Sequence, residues 1–415
     1  SDTKVVHAIW LCMLLHHAVA FLNAYGGGVI GTETEAINDI VGDARTYHFY
    51  GSQAALSEPE DGFWNNPRVA YTNSLGFFYR AFGVTFFLGD ELSVLAFALS
   101  CVVLVKLVDL LDLRRFRVGI ILLFGLLPSA VIFRSVTLRE SWQALFFLLS
   151  IYWALRLRKQ LGILTVSFLI MAASCMALLH KGLKAYALYL IGISIFWVVS
   201  NNKKGICGRL ARFMFAGVLV ACVIVLIQKV GVLGPPLSTE TKILHPVERK
   251  WYLTVDQALE AVADHRISAA SITVDNRALY GVMLDTSSVL GIVKTISMIF
   301  VQYMFAPFPW QVENVKDIYA MLESILRFVL LFFAFSSWRR SSGEVRSCYG
   351  FLLISVLSME FLWALGTINW GTAIRHHVPG YSVLVLLGGP GLILFMRKIH
   401  IGLFGRGKVN TMLLK

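Results

Sequence analysis

Charged residues are scarce in this chain. They make up 15% of its 415 residues, where a soluble domain carries about 25%. That scarcity excludes an ordinary water-soluble domain. No CxxC pair occurs among the six cysteines, Cys12, Cys101, Cys175, Cys207, Cys222 and Cys348. Most of them lie inside apolar runs and read as small buried residues, not as a disulfide or zinc framework. Motifs of soluble enzymes are also missing. Without GxxxxGKS/T there is no ATP-driven pump, and neither GxSxG nor HExxH is present. No DxD leads into a cytoplasmic catalytic domain, which excludes a nucleotide-sugar synthase with an inward-facing site. Internal repeats, low-complexity tracts and a separate soluble domain are absent as well.

What fills the chain is apolar. Hydrophobic residues account for 57%, with a mean hydropathy of +0.69. Continuous runs recur from end to end, long enough to span hydrocarbon. Because they are continuous and not alternating, a closed barrel is excluded. The fold class expected is an all-α polytopic integral membrane protein, a single transmembrane domain over 1–415. Spans are expected at 8–25, 92–109, 118–134, 141–156, 161–179, 183–200, 212–231, 320–337, 348–366 and 380–396. The first run follows Lys4 and looks like a signal peptide, but it lacks a convincing cleavage site and is expected as a retained helix.

The formal net charge of +12 need not mean nucleic acid. Basic residues cluster at Lys106/Arg114/Arg115/Arg117, Arg156/Arg158/Lys159, Lys203/Lys204/Arg209/Arg212, Arg339/Arg340/Arg346 and Arg397/Lys398/Arg406/Lys408. The positive-inside rule places all five on one side only if ten spans cross and two further apolar stretches, 70–88 and 286–306, do not. Both termini are then cytoplasmic, the inner segments are basic and the rest is slightly acidic. The two stretches become outer-face amphipathic helices, set in large outer loops at 26–91 and 232–319.

Ionisable residues at membrane level are functional candidates. Four groups are expected on the outer face. Asp43, with Tyr47 and His48 after it, offers a general base for an acceptor hydroxyl; the plain alternative is a carboxylate opposing a helix dipole. Arg134, Arg139 and Glu140 form a charged hinge between two apolar runs. Its arginines suit a phosphate, and an Arg–Glu cap is the alternative. His180, Lys181 and Lys184 end a run; they suit a phosphate or lipid headgroups. Arg375, His376 and His377 break the charge rule just before the last span, which suits a diphosphate. Metal ligation by adjacent histidines is poorly supported, so no metal and no cofactor is expected. Tyr47, His48, Trp310 and Glu313 are candidates for sugar contact. Glu323 and Glu360 are lesser candidates, as are His16 and His17.

Asp43 and Tyr47 spaced as Asp-x-x-x-Tyr, in an acidic outer loop after one span, resemble the membrane-embedded C-class (GT-C) glycosyltransferases. Pro128-Ser129, Leu138-Arg139-Glu140, His180-Lys181, Arg375 before the last span and Phe305-Ala306-Pro307-Phe308-Pro309-Trp310 resemble the EpsG- and Wzy-type polysaccharide polymerases among bacterial exopolysaccharide proteins. The resemblance implies transfer or polymerisation of glycan from a polyprenyl (di)phosphate-linked donor to an acceptor on the outer leaflet of the bacterial inner membrane. Partners would be the bilayer and assembly proteins such as a chain-length regulator, without nucleic acid. Asp43 or Glu140 would be the base, and the cations would hold the leaving phosphate. A polyprenyl-monophosphate-sugar transferase fits nearly as well. A lipid-linked oligosaccharide flippase and a membrane acyl- or phosphotransferase, with His180 or His376 as base, are the other classes open.

Overall fold

The structure, a computed structural model, describes residues 2–26, 42–57, 61–64, 66–201, 255–272 and 278–404. Among the described residues every regular element is helical, and the sole β-type pairing is an isolated bridge between Leu279 and Asn369. A chain of continuous apolar runs has this outcome because a helix satisfies its own backbone groups where water is missing. The order is α1 (Asp2–Tyr25), α2 (Gly42–Leu56), α3 (Pro67–Phe82), α4 (Phe86–Leu110), α5 (Arg117–Gly125), α6 (Pro128–Arg134) and α7 (Glu140–Lys159). There follow α8 (Ile163–Leu178), α9 (Lys181–Asn201), α10 (Val255–Ile272), α11 (Val289–Phe305), α12 (Val315–Arg340), α13 (Gly343–Gly366) and α14 (Trp370–Phe404).

Six of these are long and apolar enough to cross a membrane: α1, α4, and parts or all of α9, α12, α13 and α14. The expected run 118–134 is not one rod. It is α5 and α6, bent by 66°, and the pair raises the number to seven if it is one broken crossing. Pro128 opens α6 and forces Leu127 into an extended conformation (φ −65°, ψ 134°), because the ring crowds the residue before it. The run expected at 212–231 lies outside the described residues, as do the acidic positions 33, 35, 39, 58 and 60 of the first loop.

Three expected boundaries change. The 70–88 stretch divides: α3 stops at Phe82, Gly83 takes a positive φ of 97°, and Thr85 caps α4 through Leu88 N. Phe86 and Phe87 thus belong to a long helix, not to the surface one. Helix α12 starts before position 320, because Asn314 and Asp317 form a reciprocal capping box. The basic run around Arg375, expected as a lead-in to the last span, is the opening of a 35-residue helix with Pro379 and Pro390 inside it. Asn369 caps its start by accepting the Thr372 amide at 2.7 Å.

Charged contacts gather at the two ends of the bundle. At one end Arg117 joins Asp109 and Asp2, Lys159 donates to the Leu110 carbonyl (3.2 Å), and Arg158 meets Glu344 (3.6 Å). The start of α1, the α4–α5 connection, the end of α7 and the start of α13 therefore meet there. At the other end Asp90 holds Asn23 and Thr137, and Trp370 donates to Asp317. That end gathers the finish of α1, the α6–α7 connection and the starts of α4, α12 and α14.

Between these ends α12 and α14 approach closely through glycines. A Cβ on Gly388 would run into the Leu330 carbonyl, and one on Gly391 would sit 2.8 Å from the Phe333 ring. Small residues permit such contact where apolar lipid supplies no force to press helices together. Gly388→Ala is expected to lower the thermal unfolding midpoint of the detergent-solubilised protein, at a cost of about 1–3 kcal/mol. Gly389→Ala, whose Cβ would first meet a side chain at 3.5 Å, is expected to leave the midpoint nearly unchanged.

Candidate functional site at the Arg375 cluster

Four helix beginnings meet at the end of the bundle opposite the Arg117 and Arg158 contacts. Asp43 lies in the first turn of α2, Glu140 opens α7, His180 precedes α9, and Arg375 lies in the second turn of α14. The amino end of a helix carries partial positive charge, so first-turn carboxylates are favoured there. Arg375 ties two of them together. Its Nη1 donates to Asp43 Oδ2 at 2.8 Å, and its Nη2 and Nε donate to Glu140 Oε1 at 2.7 and 3.2 Å. Glu140 is 4% exposed at its side chain and Arg375 17%, whereas Asp43 is 52% exposed. The triad thus has a buried half and a wet half.

Arg139 supplies a second cation. Its Nη1 donates to the Leu179 carbonyl at 3.0 Å, and its guanidinium lies over the Tyr47 ring, 5.1 Å from the centroid. Its buried Nε has no partner. Arg375 alone makes ion pairs with the two carboxylates; Arg139 donates instead to a carbonyl, and Lys181, exposed at the start of α9, adds further positive charge. Tyr47 is buried, meets Tyr71 edge-on at 5.0 Å, and has its hydroxyl pushed up to about 12 by burial.

Imidazoles form the other wall. His180, in the connection between α8 and α9, accepts the Gly182 amide at Nδ1 (3.1 Å). A lone pair at Nδ1 means that the ring is neutral with its hydrogen on Nε2. Burial, then the charges of Arg139, His376, Lys181 and Arg375, hold His180 well below the ordinary histidine range. Its ring packs on Trp363 at 4.4 Å, and His376 stacks on the same indole at 4.0 Å while pairing with Thr367 Oγ1 at 2.8 Å.

The α6–α7 connection is held in place by Asp90, which the sequence reading did not single out. It is fully buried and accepts from Thr137 N (2.8 Å), Thr137 Oγ1 (2.7 Å) and Asn23 (2.8 Å). The available signal was an aspartate inside an apolar run, which faces the interior by default. Trp363 was missed also, since nothing local marks an indole in an apolar helix as a shelf for two imidazoles.

Other expected site residues lie elsewhere. Arg134 is 1% exposed, donates to the Val378 carbonyl (2.8 Å) and rests 4.0 Å over Phe124. It ties α6 to α14 inside the bundle and does not open on the cluster. His377 turns into the core, where it meets Glu360. Lys184 reaches the Trp64 carbonyl at 3.0 Å. His48 pairs with the Tyr79 hydroxyl (2.7 Å) and stacks on Phe86 (3.7 Å). Trp310 is exposed and stacked on Phe308, and the Glu313 amide donates to Asp317. Among the described residues neither shares a hydrogen bond or ring contact with the Arg375 triad. No group of three or more His, Cys, Asp or Glu residues is placed to hold a metal ion among the described residues.

Comparison with protein-family models, with curated proteins and with solved structures finds no match to this chain.

Two outcomes test the cluster's electrostatics. Arg375→Ala strands the Glu140 charge in a buried site and is expected to cost about 3–5 kcal/mol in thermal or denaturant unfolding. Adding Glu140→Gln to that variant should recover a large part of the loss. The second concerns pH. An unfolded histidine takes up its proton near pH ~6.5, but folded His180 resists it. Its contribution to stability is complete above about pH 6.5 and declines as pH falls below it. His180→Gln is expected to flatten part of that acid loss when unfolding midpoints are compared between about pH 7 and 5.

Proposed function

We propose that this chain is a membrane-embedded glycosyltransferase of C-class type that transfers or polymerises glycan from a polyprenyl (di)phosphate-linked donor during cell-surface polysaccharide assembly. The observation that carries the reading is the Arg375 triad with Arg139 and Lys181 beside it. A half-exposed carboxylate, a buried carboxylate that orients the arginine between them, and cations not used up by the carboxylates stand together at one end of the bundle.

The chemistry needs one base and an anion holder. An acceptor hydroxyl oxygen attacks the anomeric carbon, and its proton passes to Asp43, the more accessible carboxylate. The bond from that carbon to the phosphate oxygen breaks, and the electron pair leaves with the phosphate. Arg139 and Lys181 meet the developing charge, helped by the converging helix ends. Arg375 is already neutralised by two carboxylates, so its part is to aim Asp43 and not to hold the phosphate alone. The leaving phosphate needs no general acid.

The same reading has ten crossings: α1, α4, the bent α5–α6 pair, α7, α8, α9, the 212–231 run, α12, α13 and α14. Helices α3 and α11 then lie along the outer face. The basic end faces the cytoplasm of a bacterium with both termini, and the cluster faces out. The favoured subclass is the Wzy- and EpsG-type polymerase.

Complementation of a deletion strain with variants, read as polymer length and lipid-linked intermediates, tests this. Asp43→Asn is expected to lower polymer formation by about 100-fold or more, with single repeat units accumulating outside. Arg139→Ala and Lys181→Ala are expected to weaken it together more than either does alone. A flippase would instead leave no unit on the outer face. Full-length polymer from the Asp43, Arg139 and Lys181 variants alike would reject the glycosyltransferase reading.

A further inference from the structure

Two residues beyond Arg375, α14 turns a second histidine inward. His377 is 2% exposed and Glu360 of α13 is 0% exposed. His377 Nδ1 and Glu360 Oε2 stand 2.6 Å apart, and His377 Nε2 stands 3.0 Å from the Tyr303 carbonyl of α11. A carbonyl oxygen only accepts, so Nε2 carries a hydrogen. The short contact at Nδ1 then requires one more proton, either on the imidazole facing a carboxylate or on the carboxyl facing a neutral ring. In both arrangements the pair holds that proton between two heavy atoms and has no net charge. Without it, two lone pairs would face each other in the core.

The backbone is shaped to the pair. A Cβ on Gly380 would collide with Glu360 Oε1, so only glycine permits the carboxyl to lie against α14. Pro379 lacks an amide hydrogen and leaves the Arg375 carbonyl without its ladder partner. The turn that presents Arg375 is thus fastened by side chains from neighbouring helices: His377 to α13 and α11, His376 to Thr367, and Arg134 to the Val378 carbonyl. Charged and titratable neighbours of the pair come from each packed element. They are Tyr303 on α11, Arg327 on α12, Tyr186 on α9 and His376 on α14.

We infer that Glu360 and His377 form a buried one-proton site that fastens the Arg375 turn and so positions the cluster it serves. Neither residue touches the cluster, so both are positioning residues. The consequence for glycan transfer rests on the function proposed above; the fastening itself does not.

Hydrogen exchange of the purified full chain in detergent, read by mass spectrometry over residues 370–380, separates a proton-dependent latch from simple packing. Glu360→Gln can donate its amide hydrogen to Nδ1 and is expected to exchange at the wild-type rate at pH 7. Glu360→Leu fills the space without donating and is expected to exchange about tenfold faster or more, as loss of a charge-assisted hydrogen bond implies. Equal protection in the Leu and Gln variants would overturn the inference. In the polymer assay Glu360→Leu should lose product and Glu360→Gln retain it. If cluster variants leave polymer untouched while the exchange result holds, the function falls and the latch stands.

Discussion

The charge on Glu140 has to be compensated, and much of this end of the bundle follows from that. A carboxylate at 4% exposure is tolerable only with a partner, because removing a single ion from water costs several kcal/mol. Arg375 is that partner, and it comes from a helix 235 residues further along the chain. The pairing fixes the start of α7 against the start of α14. Since the same guanidinium also reaches Asp43, the start of α2 is drawn to the same point. One cation therefore brings together three parts of the sequence that no local rule connects.

The second tier of contacts keeps that cation in place. Asp90 organises the connection before Glu140, and Arg134 crosses from it to the Val378 carbonyl. His376, His377 and Trp363 line the other side of α14 with ring contacts and hydrogen bonds. The polar groups are therefore layered. An accessible layer of Asp43 and Lys181 lies over a buried layer of Glu140, Arg375 and Arg139, and Asp90, Arg134, Glu360 and His377 lie deeper still. Under the proposed function the cations near the surface would be binding groups, while Arg134 below is a tie. Arg134 and Arg139 are five residues apart and belong to different layers, so their shared charge does not imply a shared task.

Much of the architecture was legible along the chain. Continuous apolar runs at α1, α4, α9, α13 and α14 can satisfy their backbone only as helices, and the basic residues near Arg117 and Arg158 do collect at one end. Boundaries were less legible where single residues decided them: Gly83 and Thr85 divide one apparent stretch, and Pro128 bends another. Of the site, Asp43, Glu140, Arg139, His180 and Arg375 are brought together. Arg134, His377 and His48 face other partners, since the direction of a side chain on a helix is set by its neighbours and not by its spacing.

Composition and periodicity alone determined that this is a helical chain with several helices apolar enough to cross a membrane. Those are properties of each segment in its solvent, so each run carries them by itself. Only the tertiary structure decided which charges neutralise one another. The Asp43–Arg375 contact joins residues 332 positions apart, and burial at that distance depends on how whole helices pack. The oddly charged hinge at 134–140 divides for that reason. Its arginine on α6 is sealed inside the bundle as a tie, and its Arg139–Glu140 end opens the site.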